Sequence, residues 1–196
     1  MEGEWSQDGW FLMMGPAWRG APGDGPPPTE CVVGGWPLTD SGEPGLFHAN
    51  PGYVPPDPDS PTDPVDAVLR LMVAGQAEPD RLYWALRGAV FHLAVDDAGE
   101  AIVMRVPGAG EFVMIATAAV HRGRVLAQGW RDVDLGTLVA VVGEGTDVLI
   151  NPGGCAAARV VNAFVRAAAV GEDDDFLDRD GDSLLVLPWG LDPAMP

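Results

Sequence analysis

The stretch Val90-Phe91-His92-Leu93-Ala94-Val95, Asp96-Asp97-Ala98-Gly99-Glu100, Ala101-Ile102-Val103-Met104-Arg105-Val106, Pro107-Gly108-Ala109-Gly110, Glu111-Phe112-Val113-Met114-Ile115-Ala116 decides the fold class. Three β-prone runs alternate with two turn signals rich in Gly, Asp and Pro. Connections this short predict three successive strands in an antiparallel meander. Helical periods flank them. Before them, Asp63 suits an N-cap, Pro64 the first helical position and Asp66 the first-turn dipole. Val65, Val68, Leu69, Met72 and Val73 then recur at helical spacing, and Gly75 ends the helix. A second short helix is predicted over 79–88, with Leu82, Tyr83 and Leu86 inward. After the strands, residues 134–142 repeat a helical pattern through Leu135, Leu138, Val139 and Val142. Residues 147–150 read as a buried strand. Asn151-Pro152-Gly153-Gly154 turns it into a predicted helix from Cys155 to about Val170, with Ala157, Val160, Val161, Phe164, Val165 and Ala168 on its apolar face. Residues 183–187 read as a last strand.

Strands and helices mix without the strict alternation of a doubly wound sheet. The expectation is an α+β fold in a single domain, with a mixed or antiparallel sheet covered by helices. Residues 1–62 are expected to add N-terminal strands and a Pro-rich segment packed on the core. Residues 10–14 and 31–38 read as strands, with the Gly34-Gly35 pair marking a bulge. Residues 47–58 hold so many prolines that they read as extended, unladdered chain. Residues 63–196 form the core and end in an acidic segment.

The 196 residues carry 29 acidic and 11 basic side chains, a formal net charge of −18, and every basic residue is arginine. Such a charge disfavours nucleic acid and anionic membrane surfaces, whose phosphates it repels. It permits a basic protein partner, although solubility alone accounts for such a charge in many proteins. No apolar run is long enough to span a membrane. The acidic start Met1-Glu2-Gly3-Glu4 has no secretory pattern, so a cytoplasmic location is expected. Two cysteines, Cys31 and Cys155, make no disulfide framework.

No catalytic motif is readable. His48, His92 and His121 stand in separate segments and form no spaced ligand cluster. His92, inside an apolar strand, reads as a core or cross-strand residue. Cys155 opens a predicted helix without a base nearby and reads as a small buried residue facing the core. The Asn151–Gly154 turn lacks the Lys-Ser/Thr of a phosphate loop and is read as structural. Asp178-Arg179-Asp180-Gly181-Asp182 resembles part of a calcium loop, but Phe176 and Leu187 fall at the first and twelfth ligand positions, so no calcium site is expected. The expectation is a protein that is not an enzyme and holds no cofactor or metal. Its candidate partner-binding residues are Glu172, Asp173, Asp174, Asp175, Asp178, Asp180 and Asp182, an acidic cluster suited to steering a protein partner.

Two stretches carry a resemblance. Cys31-Val32-Val33-Gly34-Gly35-Trp36-Pro37-Leu38 followed by Phe47, Asn50, Pro51, Tyr53 and Pro55 resembles the actinobacterial family of type VII secretion system-associated proteins, with its F-x-x-N-P-x-Y-x-P segment. Pro56 and Asp57 stand where that family continues with Ser-Pro. Residues 112–117, Trp130, Leu135 and the run 147–154 resemble the SseB N-terminal-like domain in order and spacing. Here Ile115-Ala116-Thr117-Ala118 replaces its usual Phe-Thr-Ser. The resemblance implies an SseB-like α+β fold and a cytoplasmic, non-enzymatic accessory protein that binds a secretion component or secreted effector. The charge suits an alternative, an immunity protein neutralising a secreted basic toxin.

Overall fold

A computed structural model describes residues 9–20, 25–58, 60–171 and, in backbone, 186–188. The chain is an α+β fold with, among the described residues, two sheets and five α-helices. Three short strands come first: β1 (Trp10–Met14), β2 (Val32–Pro37) and β3 (His48–Ala49), in the order β1-β2-β3 and antiparallel throughout. Residues 47–58 are therefore not wholly unladdered: His48 and Ala49 pair with Gly35 and Gly34. The ladder needs Gly34, because a Cβ there would meet the His48 carbonyl oxygen and the Phe47 ring at 2.4 Å each. The bulge falls beside the glycine pair. Met13 faces Gly34 and Met14 faces Val32, which leaves Val33 as the extra residue.

Two helices follow, α1 (Pro64–Val73) and α2 (Pro79–Arg87). Asp63 caps α1 by accepting from the Val65 and Asp66 amides, and Leu82, Tyr83 and Leu86 of α2 are buried as their spacing predicts. Val73, expected on the inner face of α1, is half exposed at the helix end. The main sheet comprises β4 (Val90–Val95), β5 (Val103–Val106), β6 (Gly110–Ala116), β7 (Gly129–Asp134), β8 (Thr146–Ile150), β9 (Ala158–Val160) and β10 (Val186–Pro188). A single helical turn, α3 (Ala119–Arg122), lies between β6 and β7, and α4 (Leu135–Val141) lies between β7 and β8. The last helix is α5 (Asn162–Val170).

The order is β10-β9-β8-β6-β4-β7, with β5 paired to β6. All pairs are antiparallel except β6 with β8, so the sheet is mixed. The expected meander does not form. The turn at 96–100 returns the chain to β4 only at the bridge Val95–Ala101. β5 then hydrogen-bonds β6, while β4 gives one edge to the end of β6 and the other to β7. The two turns were legible; the partner of β4 lies up to 44 positions away, at Val90 opposite Asp134, and leaves no local signal.

The region after the Asn151 turn also differs from expectation. Residues 155–161 are not the start of a helix. Ala158, Arg159 and Val160 pair antiparallel with Ile150, Leu149 and Val148, and the helix begins at Asn162. An exposed sheet edge offered a ladder, and tertiary pairing overrode a helical pattern built largely of alanine. Cys155 consequently sits in the turn and is exposed, while the neighbouring Ala156, Ala157 and Ala158 are buried.

Alternate residues of β4 and β6 divide two packed layers. Phe91, Leu93, Val113 and Ile115 face the larger core, with Leu69, Leu82, Leu86, Leu138 and Phe164 from the helices. Ala94, Phe112 and Met114 face the opposite side, under Ile102, Met104, Val125 and Trp130. Burial on both faces explains why β4, β6 and β8 read as continuous apolar runs.

Candidate functional site

Asn50 makes the Phe47–Pro55 segment a rigid wall. Its side-chain amide donates to the carbonyls of Thr29 and Val32, both at 2.8 Å, and its Oδ1 accepts the Gly52 amide at 2.9 Å. Its backbone N–H donates to Val33, and its carbonyl accepts from Tyr53. The Phe47 ring packs edge-on against Trp36 at 4.8 Å between centroids. Burial, with Asp57 and Cys31 adding, pushes the Tyr53 phenol above its usual range. The backbone joins this wall to the segment leading into β4, where the Phe47 N–H donates to the Gly88 carbonyl and Phe47 bridges Ala89.

Beneath the wall lies a cleft of about 480 Å³. It lies against the sheet face opposite the helices, because Val90 and His92 alternate with the core-facing Phe91 and Leu93. α3 forms the far side with Val120 and Arg122, and Thr62 and Thr117 line it from below. His92 and Asp132 are register partners on β4 and β7, and His92 Nδ1 meets Asp132 Oδ1 at 2.6 Å. His92 is thus the cross-strand residue that the sequence predicts.

A buried polar chain supports the cleft. Asn151 has φ +50 and no exposed surface; it donates from Nδ2 to Thr117 Oγ1 at 2.8 Å and accepts the Thr117 amide at 2.9 Å. Thr117 Oγ1 donates to Asp63 Oδ2 at 2.6 Å, and Thr62 Oγ1 donates to the same oxygen at 2.8 Å. Having given its proton away, Thr62 accepts from His121 Nε2 at 2.8 Å. The His121 Nδ1 is then the acceptor of the Arg124 guanidinium at 3.2 Å. Burial drives the His121 pKa down to about 4, so the ring is neutral at neutral pH, as this chain of donors requires. Burial and the neighbouring Asp66 raise Asp63 to about 6, against the hydrogen bonds that favour its charged form. Asp66 accepts the Thr62 amide and the Arg70 guanidinium on Oδ2; its Oδ1 is buried without a partner, 3.9 Å from His121 Nε2.

The chain fixes what the cleft offers chemically. Both threonine hydroxyls donate to one Asp63 oxygen, which fixes their orientation. No group of three or more His, Cys, Asp or Glu side chains among the described residues is placed to hold a metal ion. His48 stacks edge-on against Trp10 and lines the cleft with His92, while His121 belongs to the buried polar chain.

The acidic candidates Glu172, Asp173, Asp174, Asp175, Asp178, Asp180 and Asp182 lie outside the described residues, as does the calcium-like run. Asn151 and Gly153 hold the positive φ values their turn requires. Sequence reading missed α3, β7 and with them Arg122 and Asp132. A four-residue helix is too short to show a period. In Gly129–Asp134 Val133 alone is a buried apolar residue, so the strand has little alternation to detect. No protein-family model, curated protein or solved structure matches the chain. Among the described residues no helix is long and apolar enough to cross a membrane.

Proposed function

We propose that this chain is a non-enzymatic protein-binding accessory protein associated with type VII secretion, working in the cytoplasm and holding a protein partner in the cleft beneath the Phe47–Pro55 wall. One observation carries the reading. Phe47, Asn50, Pro51, Tyr53 and Pro55, which carry the resemblance, all line one cleft. The wall is pinned by buried hydrogen bonds, as a pre-organised binding surface requires. The net charge of −18 suits a basic partner surface and speeds its encounter.

The test is deletion of the gene in its native host, followed by assay of type VII substrates in the culture medium. Loss of secretion, restored by the natural chain but not by Val120→Glu in the cleft, is the expected result. Secretion untouched by the deletion overturns the reading. The same charge favours one second reading, an immunity protein. Under that reading the deletion strain loses resistance to a secreted basic toxin while its secretion continues.

A further inference from the structure

Arg122 is half-buried at the end of α3, lines the cleft and has no partner among the described residues. The other half-buried arginines among the described residues each have a partner. Arg70 pairs with Asp66, Arg159 with Asp147, and Arg166 with Asn162 and the Val142 carbonyl; Arg131 donates from one terminal nitrogen to the Gly99 carbonyl, while its Nε is buried without a partner. Even exposed Arg105 pairs with Glu111, and Arg124 with His121. Arg81 is unpartnered too, but it is exposed to water. In a chain with 29 acidic residues and 11 basic ones, a half-buried arginine that lines a cleft and has no carboxylate among the described residues is a site left for an anion from outside.

We infer that the cleft takes the free C-terminal carboxylate of an extended partner segment, anchored on Arg122. This rests on the proposal that the chain binds a protein partner, and names the part of the partner that enters. A guanidinium matches a carboxylate through two parallel N–H···O bonds. A phosphate dianion fits less well. It needs a second positive charge, whereas the cleft adds the Asp132 carboxylate, which is 69% exposed, and the chain has no lysine.

The remaining walls suit a peptide rather than a small acid. His92 Nδ1 is taken up by Asp132, which leaves Nε2 as the ring nitrogen available to a peptide backbone group. Val120 is 47% exposed and, with Pro51 and Pro55, offers apolar contact to side chains preceding the terminus. The volume, about 480 Å³, falls within the range of about 300–1,000 Å³ usual for small-ligand clefts, which accommodates a few residues and not a folded surface. Capture of a chain terminus by a fixed anchor is a recurrent mode of peptide recognition.

The experiment uses the purified full chain on two arrays of randomised tetrapeptides fixed through their N-termini, one ending in free carboxylates and one in amides. Binding to the acid array and not to the amide array is expected. Arg122→Gln is expected to lose at least tenfold of that binding with an unchanged melting temperature, since Arg122 has no partner among the described residues. Arg81→Gln is expected to retain it. Equal response on both arrays, including no binding on either, overturns the inference, as does full binding by Arg122→Gln. Competition by inorganic phosphate as effective as by soluble acid tetrapeptides also overturns it, in favour of a small-anion site. If the arrays fail while the deletion strain still loses secretion, the terminal-carboxylate inference falls and the accessory reading stands.

Discussion

Asp63 does two jobs, and the sequence shows one of them. The cap was legible because its pattern is local: Asp, then Pro, then a helical period. The second job joins Asp63 to Thr117, 54 positions on, and through Thr62 to His121, 59 positions from Thr62. Contacts so distant have no sequence period. The consequence is measurable through pH. Folded Asp63 keeps its proton up to about pH 6, whereas an unfolded aspartate keeps it only to about 4. Its contribution is therefore full below about pH 4 and is lost as the pH rises to 6. His121 acts in reverse. It protonates near 4 when folded and near 6.5 when unfolded, so its contribution is full above 6.5 and is lost as the pH falls to 4. The two slopes oppose each other across the same window. Asp63→Asn removes one of them. Relative to the natural chain it is expected to gain stability between pH 4 and 6.5, on the order of 3 kcal/mol from 1.36 kcal/mol per pKa unit. Urea unfolding at both pH values checks this; a variant whose deficit is equal at both contradicts it. Asn151 offers a second test. Replacement by Ala removes both side-chain bonds to Thr117 and leaves an L residue at φ +50. A loss of about 2–4 kcal/mol is expected. Asn151→Gly relieves the backbone alone and is expected to recover about 1 kcal/mol of it.

At the scale of elements, the sequence shows which segments are regular better than it shows their partners. The helices α1, α2 and α4 and the strands β1, β2, β4, β6 and β8 stand close to where their patterns place them, because each pattern is set by the element's own burial: one apolar face in the helices, a continuous apolar run in β4, β6 and β8. What failed depended on distant edges. The residues of β9 carry a helical pattern, because the ladder with β8 is invisible from them alone. Of the cleft, the Phe47–Pro55 wall was singled out by its residues, whereas α3 and β7 were not. The wall's stability belongs to Asn50. Asn50→Ala strands the Thr29 and Val32 carbonyls and is expected to cost about 1–3 kcal/mol. Because the bonds are local to the wall, hydrogen exchange is expected to speed up at Gly52 and Tyr53 while β4 and β6 stay protected. Uniformly faster exchange across both sheets contradicts a wall that is held separately.

For the molecule as a whole, charge has two separable effects. A net charge of −18 repels itself within one compact chain. Raising salt from 0.01 to 0.1 M shortens the Debye length from about 30 Å to about 10 Å, so the melting temperature is expected to rise. A flat or falling melting temperature contradicts that. With a basic partner the same salt is expected to slow association. Replacing Asp173, Asp174, Asp175, Asp178, Asp180 and Asp182 by Asn is expected to lower both the association rate and its salt slope; an unchanged rate would mean that the acidic segment does not steer the partner. Where that partner sits is decided most directly by photo-crosslinking in the native host. A photoreactive side chain is placed at Val120 in the cleft and, separately, at Trp84 on α2, which is exposed on the opposite face of the sheet. A covalent adduct with a type VII secretion component from position 120, absent from position 84, is the expected result. An adduct with such a component from position 84 and none from position 120 contradicts the cleft as the binding site.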